Sequence, residues 1–131
     1  MAPRAVLIAA AARDPFVSEL VQLLQTERME VLVAHDAEAV LRTVRTRHPA
    51  VAVLDTVLPG GDGLSLCRQI KGNPATVNTQ VFFFSVLMAR DRCLEVGADG
   101  FMLKPIEQEE LLARIREALN DRVRQLPRRA K

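Results

Sequence analysis

The sequence predicts an α/β fold, a doubly wound parallel sheet of five strands in a three-layer α/β/α arrangement. Three observations predict it. Short apolar runs alternate with amphipathic stretches along the chain, with no internal repeat and no low-complexity segment. Several of those runs are apolar at every position, which suits strands covered on both faces rather than one. The chain has 131 residues, 49% of them hydrophobic, which suits one domain with a core that needs no metal or disulfide staple.

The elements follow in order. Ala5 to Ala10 reads as the first buried strand, although alanine is only a moderate strand former. Asp14 then caps a helix with Pro15 at its first position, and Phe16, Leu20, Leu23 and Leu24 give it an apolar stripe. EVLVA, Glu30 to Ala34, is the second strand. Asp36 caps the second helix, whose inner side is Ala37, Val40, Leu41 and Val44 and whose outer side carries Arg42, Arg45 and Arg47. Pro49 closes that region, and AVAVLD, ending on Asp55, is the third strand.

LPGGDG reads as a turn, because three glycines and a proline do not all fit regular structure. LSLCRQIKG is a short third helix and QVFFFSV a fourth strand. ARDRCLEVG is a short fourth helix, and GFMLKP a fifth strand ending in Lys104 and Pro105. The last helix starts at Glu107, with Leu111, Leu112, Ile115 and Leu119 inward and Glu110 spaced to pair with Arg114. Sheets of this kind need right-handed crossovers and helices on both sides, as the alternation supplies.

Composition excludes several classes. A net charge of +2 demands neither nucleic acid nor a membrane surface as partner. The one basic cluster, Arg128, Arg129 and Lys131, lacks a recognition helix or interleaved aromatics, so it reads as a tail or the start of a linker. No apolar run approaches the ~20 residues of a membrane span, and the opening AVLIAAAA is too short for a signal peptide. Those features predict a cytoplasmic protein. Cys67 and Cys93 read as reduced thiols without zinc-ligand spacing, and His35 and His48 as solvated loop histidines.

Ligands of parallel sheets lie at the carboxyl ends of the strands. Those ends hold Ala10 to Asp14, then Asp55, Ser85 and Lys104, so a carboxylate, a hydroxyl and an ammonium converge on one edge. VLDTVLPGGDGLSLCRQIK resembles the segment around the phosphorylated aspartate of response-regulator receiver domains. EVGADGFMLKPIEQEELLARIREAL resembles their closing strand and helix, with the Lys-Pro pair. The resemblance covers nearly the whole chain and implies the flavodoxin-like (βα)5 fold, with residues 1–126 as the receiver and 127–131 as a basic tail or linker.

The resemblance implies Asp55 as phosphoacceptor for a histidine kinase or a small phosphodonor. Ser85 would contact the phosphoryl group, Lys104 would pair with the carboxylate and then a phosphoryl oxygen, and Phe101 would be the rotating aromatic. Pro105 matches the proline that follows the lysine, often cis in the family. It implies a signalling module, not an enzyme, whose partners bind the face of the fourth helix, fifth strand and fifth helix, with dimerisation through that face allowed. An aspartate is a competent nucleophile when cations and oriented donors neutralise the transferring group.

The chain departs from the family pattern in two places. Receivers carry two adjacent acidic residues after the first strand, which bind magnesium together with the phosphoacceptor; here the stretch is AAAARDP. Aligned on the strand, the pair becomes Ala10 and Ala11; aligned on the helix, it becomes Ala12 and Arg13, followed by Asp14. Asp55 and the carbonyl of Val57 alone would hold Mg2+ weakly, because that ion is usually held by carboxylates. Asp14 is a candidate extra ligand and Arg13 a candidate substitute charge, with a solvated loop arginine as the plain alternative. The chain is also a few residues short between Ser85 and Lys104, leaving Val86, Leu87 and Met88 as local core or a partner patch.

Three readings follow. The favoured one is an atypical receiver that acts as a protein–protein interaction module with weak or no magnesium-dependent phosphorylation. The alternative is a working phosphoacceptor receiver using Asp55. A flavodoxin-like enzyme or nucleotide binder is the third, and it lacks a glycine-rich phosphate loop after the first strand.

Overall fold

The computed structural model describes residues 5–85, 90–103 and 107–129. In chain order the elements are β1 (Ala5–Ala9), α1 (Pro15–Thr26), β2 (Glu30–Ala34), α2 (Ala37–Arg47), β3 (Val51–Leu54), β4 (Val57–Leu58) and β5 (Gly61–Asp62). They continue with α3 (Gly63–Lys71), β6 (Gln80–Ser85), α4 (Arg90–Glu95), β7 (Gly100–Leu103) and α5 (Gln108–Arg129). Five strands form one sheet in the order β2-β1-β3-β6-β7, and every pairing in it is parallel. The expected doubly wound sheet is therefore present, with β4 and β5 as a separate two-stranded hairpin.

Strand alternation sends successive side chains to opposite faces and builds two cores. Val6, Ile8, Val51, Val53 and Phe84 pack with Val17, Leu20 and Leu24 of α1 and with Leu111 and Ile115 of α5. Leu7, Ala52, Leu54, Val81 and Phe83 pack on the other face with Val40 and Val44 of α2, Leu66 and Ile70 of α3, and Cys93 of α4. Each fully buried leucine or isoleucine contributes about 2 kcal/mol of transfer free energy. Leu111, Leu112, Ile115 and Leu119, the inward stripe expected for the last helix, are all buried.

Local chemistry sets the element ends. Asp36 Oδ1 accepts from the Ala39 amide at 2.8 Å at the start of α2, and Asp62 Oδ1 accepts from Ser65 at 2.7 Å at the start of α3. Such caps contribute about 1 kcal/mol each. His48 ends α2 in the left-handed region (φ 47°), its amide bonded to the Val44 carbonyl, so it is a cap as well as the exposed histidine expected. The LPGGDG stretch is more ordered than a plain turn. Pro59 and Gly60 link β4 to β5, with Gly60 at φ 81° after proline, the combination a type II turn needs.

Several boundaries differ from expectation by a residue or two: β3 is Val51–Leu54 rather than Ala50 to Asp55, α3 starts at Gly63, α4 spans only Arg90–Glu95, and α5 starts at Gln108. β1 stops at Ala9 rather than Ala10, because its ladder with β3 ends where Ala9 faces Leu54. α5 runs on through Pro127 to Arg129. At the amino edge of the sheet, Lys71 Nζ donates to the carbonyls of Val77 (3.1 Å) and Thr79 (2.8 Å) and pairs with Asp99 at 2.8 Å. The same carboxylate oxygen accepts from the Val81 amide at 2.8 Å, so α3, β6 and the start of β7 are tied together. Among the described residues no helix is long and apolar enough to cross a membrane.

Candidate functional site

Of the residues singled out from the sequence, the carboxyl edge of the sheet holds Arg13, Asp14, Asp55, Val57 and Ser85, while Phe101 lies inside β7. Lys104 and Pro105 lie outside the described residues, as do Val86, Leu87 and Met88. Asp55 directly follows β3 and is half-buried. Its amide donates to the Ala9 carbonyl at 2.9 Å, and its Oδ1 accepts from the Val57 amide at 3.2 Å. That second bond orients the carboxylate over the loop leading into β4, while the Val57 side chain stands 67% exposed beside it.

The bond from Asp55 to Ala9 decides between the two alignments of the alanine stretch. With Ala9 facing Leu54 in the ladder, the next step along both strands brings Ala10 beside Asp55. Ala10 is buried at 7% exposure, and Ala11 follows it, exposed. Strand geometry therefore favours Ala10 and Ala11 over Ala12 and Arg13 as the residues at the acidic positions. Arg13 is exposed in the turn before α1.

A cavity of about 10 Å³ sits where longer side chains would reach. Ala9, Ala10, Asp14, Val17, Asp55 and Phe84 are among its walls, and the accessible lining is apolar. It is about the size of one water. Asp14 and Asp55 thus border one small space, whereas the described residues contain no group of three His, Cys, Asp or Glu able to hold a metal. Magnesium needs near-octahedral oxygen ligation, usually with carboxylates, and of the cavity's walls only Asp14 and Asp55 carry one, the rest being apolar. The residues present fit that ion poorly.

Ser85 is the last residue of β6 and is 1% exposed. Its Oγ is 2.7 Å from Thr56 Oγ1, a buried hydroxyl pair that the sequence reading did not anticipate. The signal for it was present: counting two-residue steps from Leu54 and Phe83, which face each other, leads to Thr56 and Ser85. Phe101 faces Phe83 on β7, half-buried against the α2–α3–α4 core.

Two supporting contacts were also missed. His35, exposed as expected, has its Nδ1 3.0 Å from the Ala10 carbonyl, and since a carbonyl only accepts, Nδ1 carries the proton. That bond holds the strand end bordering the cavity. Gly63 opens α3 against the site: a β-carbon there would lie 2.5 Å from the Asp55 carbonyl oxygen and 2.9 Å from the Phe83 ring. Only glycine permits this approach.

The cysteines lie away from the edge, free and buried. Burial pushes the Cys67 thiol from 9.0 up to about 11 and raises Cys93 as well. Both are therefore protonated and inert near neutrality.

The comparisons with known proteins agree with this geometry. Residues 13–116 match the family described as the response regulator receiver domain. The response regulator PleD of Caulobacter vibrioides is 38% identical over 96 residues, a stretch covering 71% of this chain and 21% of that protein. The chain spans between 21% and 42% of the length of that relative and of a Mycobacterium tuberculosis transcriptional regulatory protein, TrcR. A CheY-like receiver domain protein from Methanospirillum hungatei superposes with a TM-score of 0.86 at 21% identity, covering 95% of this chain and 99% of the other. The BeF3-activated N-terminal receiver domain of Klebsiella pneumoniae RstA gives a TM-score of 0.78 at 28% identity, covering 88% and 98%.

Proposed function

We propose, given that this chain belongs to the response regulator receiver domain family, that it is a protein–protein interaction module with weak or no magnesium-dependent phosphorylation. Receivers are signalling modules of two-component systems rather than catalytic enzymes. The observation that carries the finer reading is Ala10 beside Asp55, with an apolar cavity where carboxylates would hold a cation. Without a bound divalent ion, the charge on a transferring phosphoryl group goes largely unneutralised, and a carboxylate is then a poor acceptor.

The partners proposed are signalling proteins that meet the face formed by α4, β7 and α5. Leu94 and Leu103, 44% and 41% exposed, support an apolar contact there. Pairing of two copies through the same face is a further expectation. Neither nucleic acid nor membrane enters this reading, and the proposed location is the cytoplasm.

A second reading has one observation in its favour. Asp14 borders the same cavity as Asp55, and a carboxylate there would give a divalent ion a second acidic ligand. Under it, Asp55 is phosphorylated by a histidine kinase, Ser85 and Lys104 contact the phosphoryl group, and Phe101 follows.

One titration separates the two. The protein is titrated with magnesium and beryllium fluoride and followed by NMR. Shifts at Asp55, Ser85 and Phe101 at millimolar metal would overturn the interaction-module reading, and silence at all three would overturn the phosphoacceptor reading. In the cell, Asp55→Asn should leave the phenotype unchanged under the first reading and mimic loss of signalling under the second.

A further inference from the structure

Ser85 and Asp55 do not share a side of the sheet. Asp55 borders a cavity walled by residues of the α1–α5 core, among them Val17, Val53 and Phe84. Ser85 continues the alternation of Val81 and Phe83, which belong to the α2–α3–α4 core. Thr56 has the same parity as Leu54 and therefore faces that second core too. Its Oγ1 meets Ser85 Oγ at 2.7 Å with both residues buried, at 6% and 1% exposure.

We propose that Thr56 is a positioning residue for the switch hydroxyl: its Oγ1 holds Ser85 on the α3 side of the sheet, and Ser85 reaches a phosphoryl group on Asp55 only by giving up that bond. The inference rests on the receiver reading of Ser85 as the phosphoryl-contacting hydroxyl. Giving up a hydrogen bond between two buried hydroxyls costs free energy, so the Thr56 bond biases Ser85 toward its inward position. Valine at position 56 has nearly the same shape and no hydroxyl, so it would remove the bias and keep the packing.

The test is NMR on the full chain, first without metal or phosphoryl mimic. The wild type should show one Ser85 χ1 rotamer in its three-bond couplings and a slowly exchanging hydroxyl proton in the Thr56–Ser85 pair. Thr56→Ser should keep both signatures, and Thr56→Val should average the couplings and lose the slow proton. An averaged rotamer in the wild type, loss of the signatures in Thr56→Ser, or their survival in Thr56→Val would overturn the proposal. The wild type and the serine variant decide the matter even where the valine variant fails to fold.

A second arm reads the consequence for switching. Where magnesium and beryllium fluoride shift Phe101 in the wild type, Thr56→Val should move the midpoint down about fivefold, the value of one net hydrogen bond. An unchanged midpoint would overturn the biasing role. Silence of both proteins toward beryllium fluoride bears on phosphoacceptance by Asp55 and leaves the couplings to decide the role of Thr56.

Discussion

Asp55 and Gly63 approach each other so closely that a β-carbon on residue 63 would stand 2.5 Å from the Asp55 carbonyl oxygen. The contact comes from the hairpin between them: the Gly63 amide donates to the Thr56 carbonyl at 2.9 Å and brings the first turn of α3 against the end of β3. Gly63→Ala forces a backbone oxygen and the Phe83 ring to move. Overpacking of this kind costs about 1–3 kcal/mol. Urea unfolding should show that loss with an unchanged slope, and the Asp55 and Val57 amide resonances should shift even where the protein still folds.

Restoring carboxylates beside Asp55 should restore a metal site. Ala10 is buried, so Ala10→Asp with Ala11→Asp places an unpartnered charge in an apolar cavity when no cation is present. The double variant should be less stable than the wild type by about 1–3 kcal/mol in chelator. Millimolar magnesium should recover much of that loss, while the wild type should melt at the same temperature with and without the ion. Equal magnesium responses in the two proteins would contradict the assignment of Ala10 and Ala11 to the acidic positions.

The thiol of Cys67 makes stability fall in alkali. Its folded pKa of about 11 lies above the unfolded value of 9.0, because burial penalises the thiolate. The folded state therefore binds the proton more tightly. That contribution is whole below pH 9 and disappears as pH rises through 11. Urea midpoints measured across this window should drop less in Cys67→Ala than in the wild type. At neutral pH a thiol reagent should label neither cysteine of the folded chain and both in denaturant.

Asp99 is expected to matter more for stability than its exposure suggests. Its Oδ2 receives both the Lys71 ammonium and the Val81 amide at 2.8 Å. Asp99→Ala removes the counter-charge of a lysine largely shielded from water, leaving it only the Val77 and Thr79 carbonyls, and takes the side-chain acceptor from the Val81 amide. A loss of about 1–3 kcal/mol is expected, against less than about 0.5 kcal/mol for Val57→Ser on the exposed hairpin. Chemical denaturation of the two variants side by side checks the contrast.

Much of this architecture was legible because burial on both faces leaves a simple trace. Runs such as Val51–Leu54 and Val81–Phe84 carry no polar residue, and Asp36 and Pro15 sit at positions where helices start. Asp55 and Ser85 were singled out because they end or follow strands, which can be read from where apolar runs stop, whereas Phe101, inside β7, was pointed to only by the resemblance. The alignment of the alanines was not legible, since a run of identical small residues slides freely along a pattern. It took the hydrogen bond from Asp55 to Ala9 to fix Ala10 beside the carboxylate. Thr56 was overlooked for a different reason: its partner is 29 residues away, and the pairing needs the β3–β6 register as well as the sequence.

The two-core construction has a consequence for how substitutions in this protein should sort. Asp55 borders the layer of α1 and α5, whereas Ser85 and Phe101 belong to the layer of α2, α3 and α4. Replacements of Val17 or Leu20 should thus alter the reactivity of the carboxylate while leaving the hydroxyl undisturbed. Those at Leu66, Ile70 or Cys93 should do the reverse. The sheet works as a partition, with the Asp55 carboxylate and the Ser85 hydroxyl on opposite sides of it.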